Sequence, residues 1–194
     1  MAEPSLKEEY KAHYLRELQR RTELMAAVNV PLSLIGIFGG ALSLASLQLS
    51  WPFGLVQWLQ IELGIVALVL LAIASINLVR SYFGYTVAYV PTPLSLEADK
   101  ANLAAYYGAT ATPDEVEKEV LEHLFTTYAV CAEKNTTSND LRSLYLHLAN
   151  RSLVASIPFV FLFHAVGVGY NVATKSLPVT QSAAPQAIQS GTSK

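Results

Sequence analysis

Apolar positions run almost unbroken through two stretches of this chain, and polar ones fill the rest. From Leu24 to Val79 one charged side chain, Glu62, interrupts 56 residues, and from Ser152 to Thr174 there is none. A helix crosses a bilayer with about 20 mostly apolar residues at 1.5 Å rise each. The first stretch is long enough to cross twice. It predicts spans over 24–47 and 55–79, joined by a short outer turn over 48–54 that holds Trp51, Pro52 and Gly54. The second stretch predicts a third span over 152–173. A helix from a soluble bundle carries a polar stripe at a 3.6-residue period. The run LGIVALVLLAIASINLV has no such stripe. The expected fold is therefore an all-α integral membrane protein, with three transmembrane helices and a membrane-proximal cytoplasmic helical module.

The polar stretches carry helix punctuation. Ser5 followed by Glu8 is a capping-box start, which makes 1–23 a cytoplasmic amphipathic helix able to run into the first span. Leu6, Tyr10, Tyr14 and Leu18 recur every four residues and would line one face. Pro31 lacks an N–H and its ring clashes with the preceding turn, so a kink is expected near Ala27–Pro31. In the cytoplasmic region 80–151, Pro91 and Pro93 break the helix that leaves the second span. Ser95 can cap a short helix over 96–107, which Gly108 can end. Thr112-Pro113-Asp114-Glu115 supplies a capping Thr, Pro at the first helical position and Glu at the third. The helix from 113 meets no Gly or Pro until Pro158 and can continue into the third span. The alternative is a break at Asn135–Asp140, where short polar side chains compete for backbone hydrogen bonds. The tail, 174–194, is small, polar and Pro-interrupted and is expected to be disordered.

Charge fixes an expected orientation. Five Lys and Arg residues lie in 1–23 and six in 80–151, against none in 48–54 and two, Lys175 and Lys194, in the tail. The positive-inside rule then places the N-terminus and 80–151 in the cytoplasm, and the turn and C-terminus outside, in a multi-pass protein of the cell membrane. Trp51 and Trp58 fit an outer aromatic belt, and Tyr82, Tyr85 and Tyr89 an inner one. The N-terminus lacks the pattern of a cleaved signal peptide, so the first span is expected to stay. A net charge of −2 gives no reason to expect nucleic acid as a partner. One cysteine, Cys131, excludes an intrachain disulfide and a multi-Cys zinc site.

Three features are candidates for function. Ser33, Gly36, Gly40 and Ser43 alternate at three- and four-residue spacing, with Gly36 and Gly40 forming a GxxxG. Such a seam lets helix backbones approach closely in lipid. It can pack against the second span, where Gly64, Ala67 and Ala74 would face it, or against another copy of the chain. Glu62 lies one turn after Trp58 and reads as an interfacial acid or, in an oligomer, as a ring of acids at a pore mouth. Asn135, Asn139 and Arg142 share a helix face with Tyr128, Ala132 and Leu146. They can form a register-setting polar layer, a solvated stripe, or an anion contact through Arg142.

No catalytic, cofactor or metal signature appears. His13, His123, His147 and His164 form no HExxH and no Glu-x-x-His pair, and there is no phosphate loop or GxSxG. The expected function is thus a small non-enzymatic interaction or scaffold module held at the cytoplasmic membrane face. Its partners are the lipid bilayer, a cytoplasmic protein and, through the seam, itself. The alternative is an oligomeric membrane effector or pore gated through the cytoplasmic helices. In architecture alone, short cytoplasmic helices fused to a few spans resemble the transmembrane effectors of bacterial defence systems.

Overall fold

The structure is a computed structural model that describes residues 5–47, 49 and 54–175, the last by its main chain only. The expected tail from 176 onward lies outside the described residues. So does the 48–54 turn with Trp51, apart from Leu49 and Gly54. The described residues form five α-helices: α1 Leu6–Ala27, α2 Asn29–Ser46, α3 Leu55–Tyr82, α4 Pro93–Tyr107 and α5 Pro113–Lys175. Three helical lengths are long and apolar enough to cross a membrane: α1 with α2, α3, and α5.

The caps follow from the local sequence. Ser5 and Glu8 close a reciprocal capping box on α1. Thr112 and Glu115 do the same for α5, where the Glu115 carboxylate accepts from both the backbone N–H and the hydroxyl of Thr112. On α4, Thr92 rather than Ser95 is the cap, so the helix begins at Pro93, earlier than the expected 96. Pro93 fits there because the first helical N–H has no intrahelical partner to lose. The α-helical hydrogen-bond pattern is interrupted at Val28, between α1 and α2, although Val28 keeps helical dihedral angles (φ −66°, ψ −27°). Pro31, with no N–H, cannot bond the carbonyl of Ala27 four residues back.

Helix α5 runs through Asn135–Asp140 without a break. Short polar side chains weaken a helix when they turn back on their own backbone. Here Asn135 and Asn139 are directed at other segments instead, and Thr136 and Thr137 donate to the carbonyls four residues back without breaking the helix.

The three long helices pack through one repeat. On α3 the buried positions are Gln57, Gln60, Gly64, Ala67, Leu71, Ala74, Leu78 and Ser81, alternately three and four residues apart. On α5 the same alternation joins Asn135, Asn139, Arg142, Leu146, Ala149, Leu153, Ser156, Val160, Phe163 and Gly167. On α1 and α2 it joins Tyr14, Glu17, Arg21, Leu24, Val28, Pro31, Ile35, Phe38, Leu42 and Ala45, all buried or half-buried, and passes straight through Val28. An average spacing of 3.5 residues keeps each seam facing its neighbours along a left-handed supercoil. Small residues bring α3 and α5 close: Ala67, Ala74, Ala149 and Ser156 are fully buried. A Cβ added to Gly64 would lie 3.0 Å from the Phe163 ring.

Pairings give the directions. Gly64 meets Phe163 and Gly167 meets Gln60, so α3 and α5 are antiparallel. Tyr14 meets Tyr128, and Arg20 meets Asp140, while Leu24 and Val28 pack with Leu146 and Ala149. Helices α1 and α2 therefore run parallel to α5. The result is a three-helix bundle whose apolar half is α2, α3 and the C-terminal part of α5. Its polar half is a stalk of α1 and the N-terminal part of α5, tipped by α4.

Candidate functional site: a polar layer in the helix seam

Most of the bundle's seam is apolar; apart from Gln57 and Gln60 at the start of α3 and Ser156 on α5, its buried polar side chains concentrate where the stalk meets the apolar half. Asn135, Asn139 and Arg142 occupy three successive seam positions of α5 and are 4%, 2% and 4% exposed. They face the Glu17 and Arg21 positions of α1 and the extended segment 83–92 that follows α3. The structure thus brings the three residues singled out from the sequence into one buried layer. The solvated-stripe reading does not apply to them.

Asn135 behaves as a backbone surrogate. Its Oδ1 accepts from the Ala88 N–H at 3.0 Å and its Nδ2 donates to the Ala88 carbonyl at 3.0 Å. One side-chain amide thereby supplies both bonds that a neighbouring strand would give an extended residue. The segment has no strand partner among the described residues, and a buried backbone polar group without a partner is costly. Farther along, the Val90 N–H points to the Tyr14 hydroxyl at 3.5 Å, a long bond. Gly84, with φ of 91°, provides the turn by which the chain leaves α3 for this extended path.

Asn139 holds α1. Its Nδ2 donates to the Glu17 carbonyl at 2.8 Å and to Glu17 Oε2 at 3.0 Å. The Glu17 carboxylate also lies 3.5 Å from Arg20, and Arg20 reaches Asp140 of α5 at 2.7 Å. The hydrogen bond from Arg20 to Asp140 raises the guanidinium's pKa above its ordinary value, against the opposing effect of burial. A buried acid with an amide donor and a nearby guanidinium is satisfied, so Glu17 is a structural member of the layer.

Arg142 is different. Its guanidinium sits 4.8 Å from the centre of the Tyr85 ring, a cation–π distance. Its Nε and Nη1 are buried and have no hydrogen-bond partner. Burial, and then the charge of Arg21, lower its pKa from the ordinary arginine value. Arg21 donates to the Tyr89 hydroxyl at 3.3 Å, but its own Nε is also buried without a partner.

The remaining candidates do not join this layer. Ser33, Gly36, Gly40 and Ser43 are all exposed, and a Cβ added at Gly36 or Gly40 would meet nothing within 4 Å. The expectation that this seam packs against the second span of the same chain is therefore corrected. At about 100° per residue, the seam points roughly opposite to Ile35, Phe38 and Leu42, which hold α2 in the bundle. Gly64, Ala67 and Ala74 are engaged instead by the bundle core and α5. Glu62 is exposed on the outer side of α3, two residues from either of the seam positions Gln60 and Gly64.

The histidines are scattered. His13 touches Thr136, and the His164 ring bonds the Val160 carbonyl within its own helix. Among the described residues no group of three His, Cys, Asp or Glu side chains could hold a metal ion. Cys131 is buried beside Tyr14 and Ala132.

Sequence reasoning missed Glu17, Arg21, Tyr85 and Ala88. The first two carried a readable signal. They continue the three-and-four spacing that starts at Tyr10 and Tyr14, whereas strict four-residue spacing leads to Leu18 instead. Compared with protein-family models, curated proteins and solved structures, the chain matches none.

Proposed function

We propose that the protein is a non-enzymatic membrane scaffold that holds a helical stalk at a fixed distance and rotation from the bilayer. The observation that carries this reading is the continuity of α5, which is a single helix from Pro113 to Lys175. The portion before Ser152 would extend about 55–60 Å at 1.5 Å per residue, braced along its side by α1. Membrane insertion is supported by what the apolar half exposes. Ile37, Leu44, Ile65, Leu68, Phe161, Leu162 and Val168 all face outward and are at least half exposed. An apolar surface of this extent surrounding a largely apolar core suits lipid and would be an aggregation hazard in water. The Lys and Arg distribution supports a stalk in the cytoplasm and a C-terminus outside, at the cell membrane.

In this reading the stalk tip, α4 with the start of α5, presents a surface to a cytoplasmic protein. It is tied together by Lys100–Glu117 at 2.7 Å and by Tyr107 donating to Glu119 at 3.3 Å. Leu94 and Tyr106 on α4 are more than four-fifths exposed.

The outward placement of the Ser33–Ser43 seam and of Glu62 favours a second reading, an oligomeric effector or pore. The bundle of one chain is filled by Ala67, Leu71, Ala74, Leu153 and Phe163, so a conducting path would have to run between copies. Mass in detergent and conductance in liposomes separate the two. A monomer or dimer that does not conduct and copurifies with a soluble protein supports the scaffold. A larger ring that conducts overturns it.

A further inference from the structure

Arginine is rarely buried without a partner, because both its charge and its five donors lose water. In the junction between stalk and apolar half, two arginines share one small chamber. Arg142 from α5 and Arg21 from α1 line it with Glu17, Thr86, Val87 and Ser138, among others. Three of their nitrogens, Arg142 Nε and Nη1 and Arg21 Nε, are buried with no acceptor. The one carboxylate in the chamber, Glu17, is already held by Asn139 and Arg20 and makes no ion pair with either arginine. The chamber therefore has more positive charge than its own acids neutralise, and donors that nothing among the described residues accepts. Burial and the neighbouring Arg21 both disfavour the Arg142 charge, which an added anion would reverse.

We propose that Arg142 and Arg21 form a binding site for a phosphate group, entered by displacement of the segment Tyr85–Val87. Two planar guanidinium forks suit the tetrahedral oxygens of phosphate, each able to give paired N–H bonds. In the conformation described, the chamber has no room even for water, so the segment must move for the ligand to enter. Its construction allows that. Thr86 is exposed, Gly84 already occupies a left-handed conformation that frees the turn, and the firm anchor, Asn135 on Ala88, lies just beyond. The site is also placed to meet lipid. Arg142 lines a second small space with Leu24, Met25, Val28, Ser81, Tyr82 and Leu146, where α3 ends. The phosphate of an anionic lipid and a soluble phosphate compound offer the same chemistry. The lipid source rests on the membrane reading, and the soluble source does not.

The full chain, purified in detergent, is tested with inorganic phosphate and separately with dihexanoyl phosphatidic acid. Dihexanoyl phosphatidylcholine and sodium chloride of equal ionic strength serve as controls. Two quantities are read: the thermal midpoint and the hydrogen exchange of residues 85–87. A raised midpoint and altered exchange with either phosphate probe, absent from the controls, support the site. A response to inorganic phosphate assigns a soluble ligand, and a response to phosphatidic acid alone assigns a lipid. Arg142→Met, which keeps the stem and removes the charge, should weaken binding by about tenfold or more, as expected for lost charge-assisted bonds. Arg142→Lys, which keeps the charge and loses the fork, covers the case in which Arg142→Met does not fold, and should also bind more weakly than the parent. No response in the parent chain, or a response in both variants equal to the parent's, would overturn the proposal.

Discussion

Replacing Asn135 by alanine should open the 84–92 segment without unfolding the bundle. The substitution removes two hydrogen bonds, both 3.0 Å, and leaves the Ala88 N–H and carbonyl without their protein partner. A hydrogen bond of this kind contributes about 0.5–1.5 kcal/mol net, so the pair should contribute about 1–3 kcal/mol to holding the segment down. Ala88 is half-buried, so water can reach the freed groups and the full penalty for burial without a partner does not apply. An opposite effect acts on α5, because alanine is the better helix former by several tenths of a kcal/mol. The midpoint of global unfolding is therefore a poor test. Exchange of the Ala88 amide is a direct one. A loss of about 1–3 kcal/mol converts to about a 5- to 150-fold increase in local opening. Amides in the apolar half, such as those of Leu71 and Val160, should exchange as before. Tyr14→Phe, which removes only the long bond to Val90, should give a much smaller change at Val90. If Ala88 exchanges no faster in Asn135→Ala than in the parent, the Asn135 amide does not hold the segment, and the account of this layer fails.

Glycines distinguish packed from unpacked faces. Gly64→Leu should lower the thermal midpoint in detergent, since even a Cβ would crowd the Phe163 ring and overpacking typically costs about 1–3 kcal/mol. Gly36→Leu with Gly40→Leu should leave the monomer's midpoint unlowered, because that face meets nothing within 4 Å; a fall in detergent-solubilised mass would instead assign the seam to self-association. A cytoplasm-active reporter fused after Lys134 should give signal and one fused after Lys194 should not, and the reverse pattern would refute the orientation. The Thr112 backbone and hydroxyl hold the Glu115 carboxyl below its ordinary pKa. Its support of the first turn of α5 is thus complete above the ordinary carboxylate range and lost as pH falls through the lowered value. In a carboxyl NMR titration Thr112→Ala, which keeps the backbone N–H, should move the Glu115 midpoint part of the way upward, and an unmoved midpoint would show that the Thr112 hydroxyl does not hold the acid.

The long apolar lengths and the caps of α1 and α5 were legible because each rests on local chemistry. Charge-free length marks the apolar helices, and Ser5-Glu8 and Thr112-Glu115 mark two starts. The facing of α2 was not legible. Small residues at Gly36 and Gly40 suggest close packing, but an equally suitable apolar stripe, Ile35, Phe38 and Leu42, lies on the opposite side and is the one used. In a helix that is apolar all round, hydropathy cannot say which face is inside. The polar layer was half legible. Asn135, Asn139 and Arg142 sit in phase with apolar positions on α5, which marks them as inward-facing. Their partners could not be read, because Ala88 contributes only backbone, and Glu17 and Arg21 look like ordinary charges of an amphipathic helix until the seven-residue repeat is followed through them.

The parallel pairing of α1 with α5 also sets a timetable for biosynthesis. Glu17 and Asn139 are 122 residues apart in the chain, and Arg20 and Asp140 are 120 apart. At about 5–20 residues per second of synthesis, α1 waits roughly 6–25 s after leaving the ribosome before the helix that covers its polar seam exists. During that interval Glu17, Arg21 and the Tyr14 hydroxyl must remain in water or at the lipid headgroups. Under the proposed membrane reading, the same polarity that later specifies the buried layer would keep the nascent α1 at the surface and out of the bilayer. If the apolar half is inserted as proposed, α2 would then be left alone to enter the bilayer, and the first membrane boundary would fall near Val28 before the bundle can form.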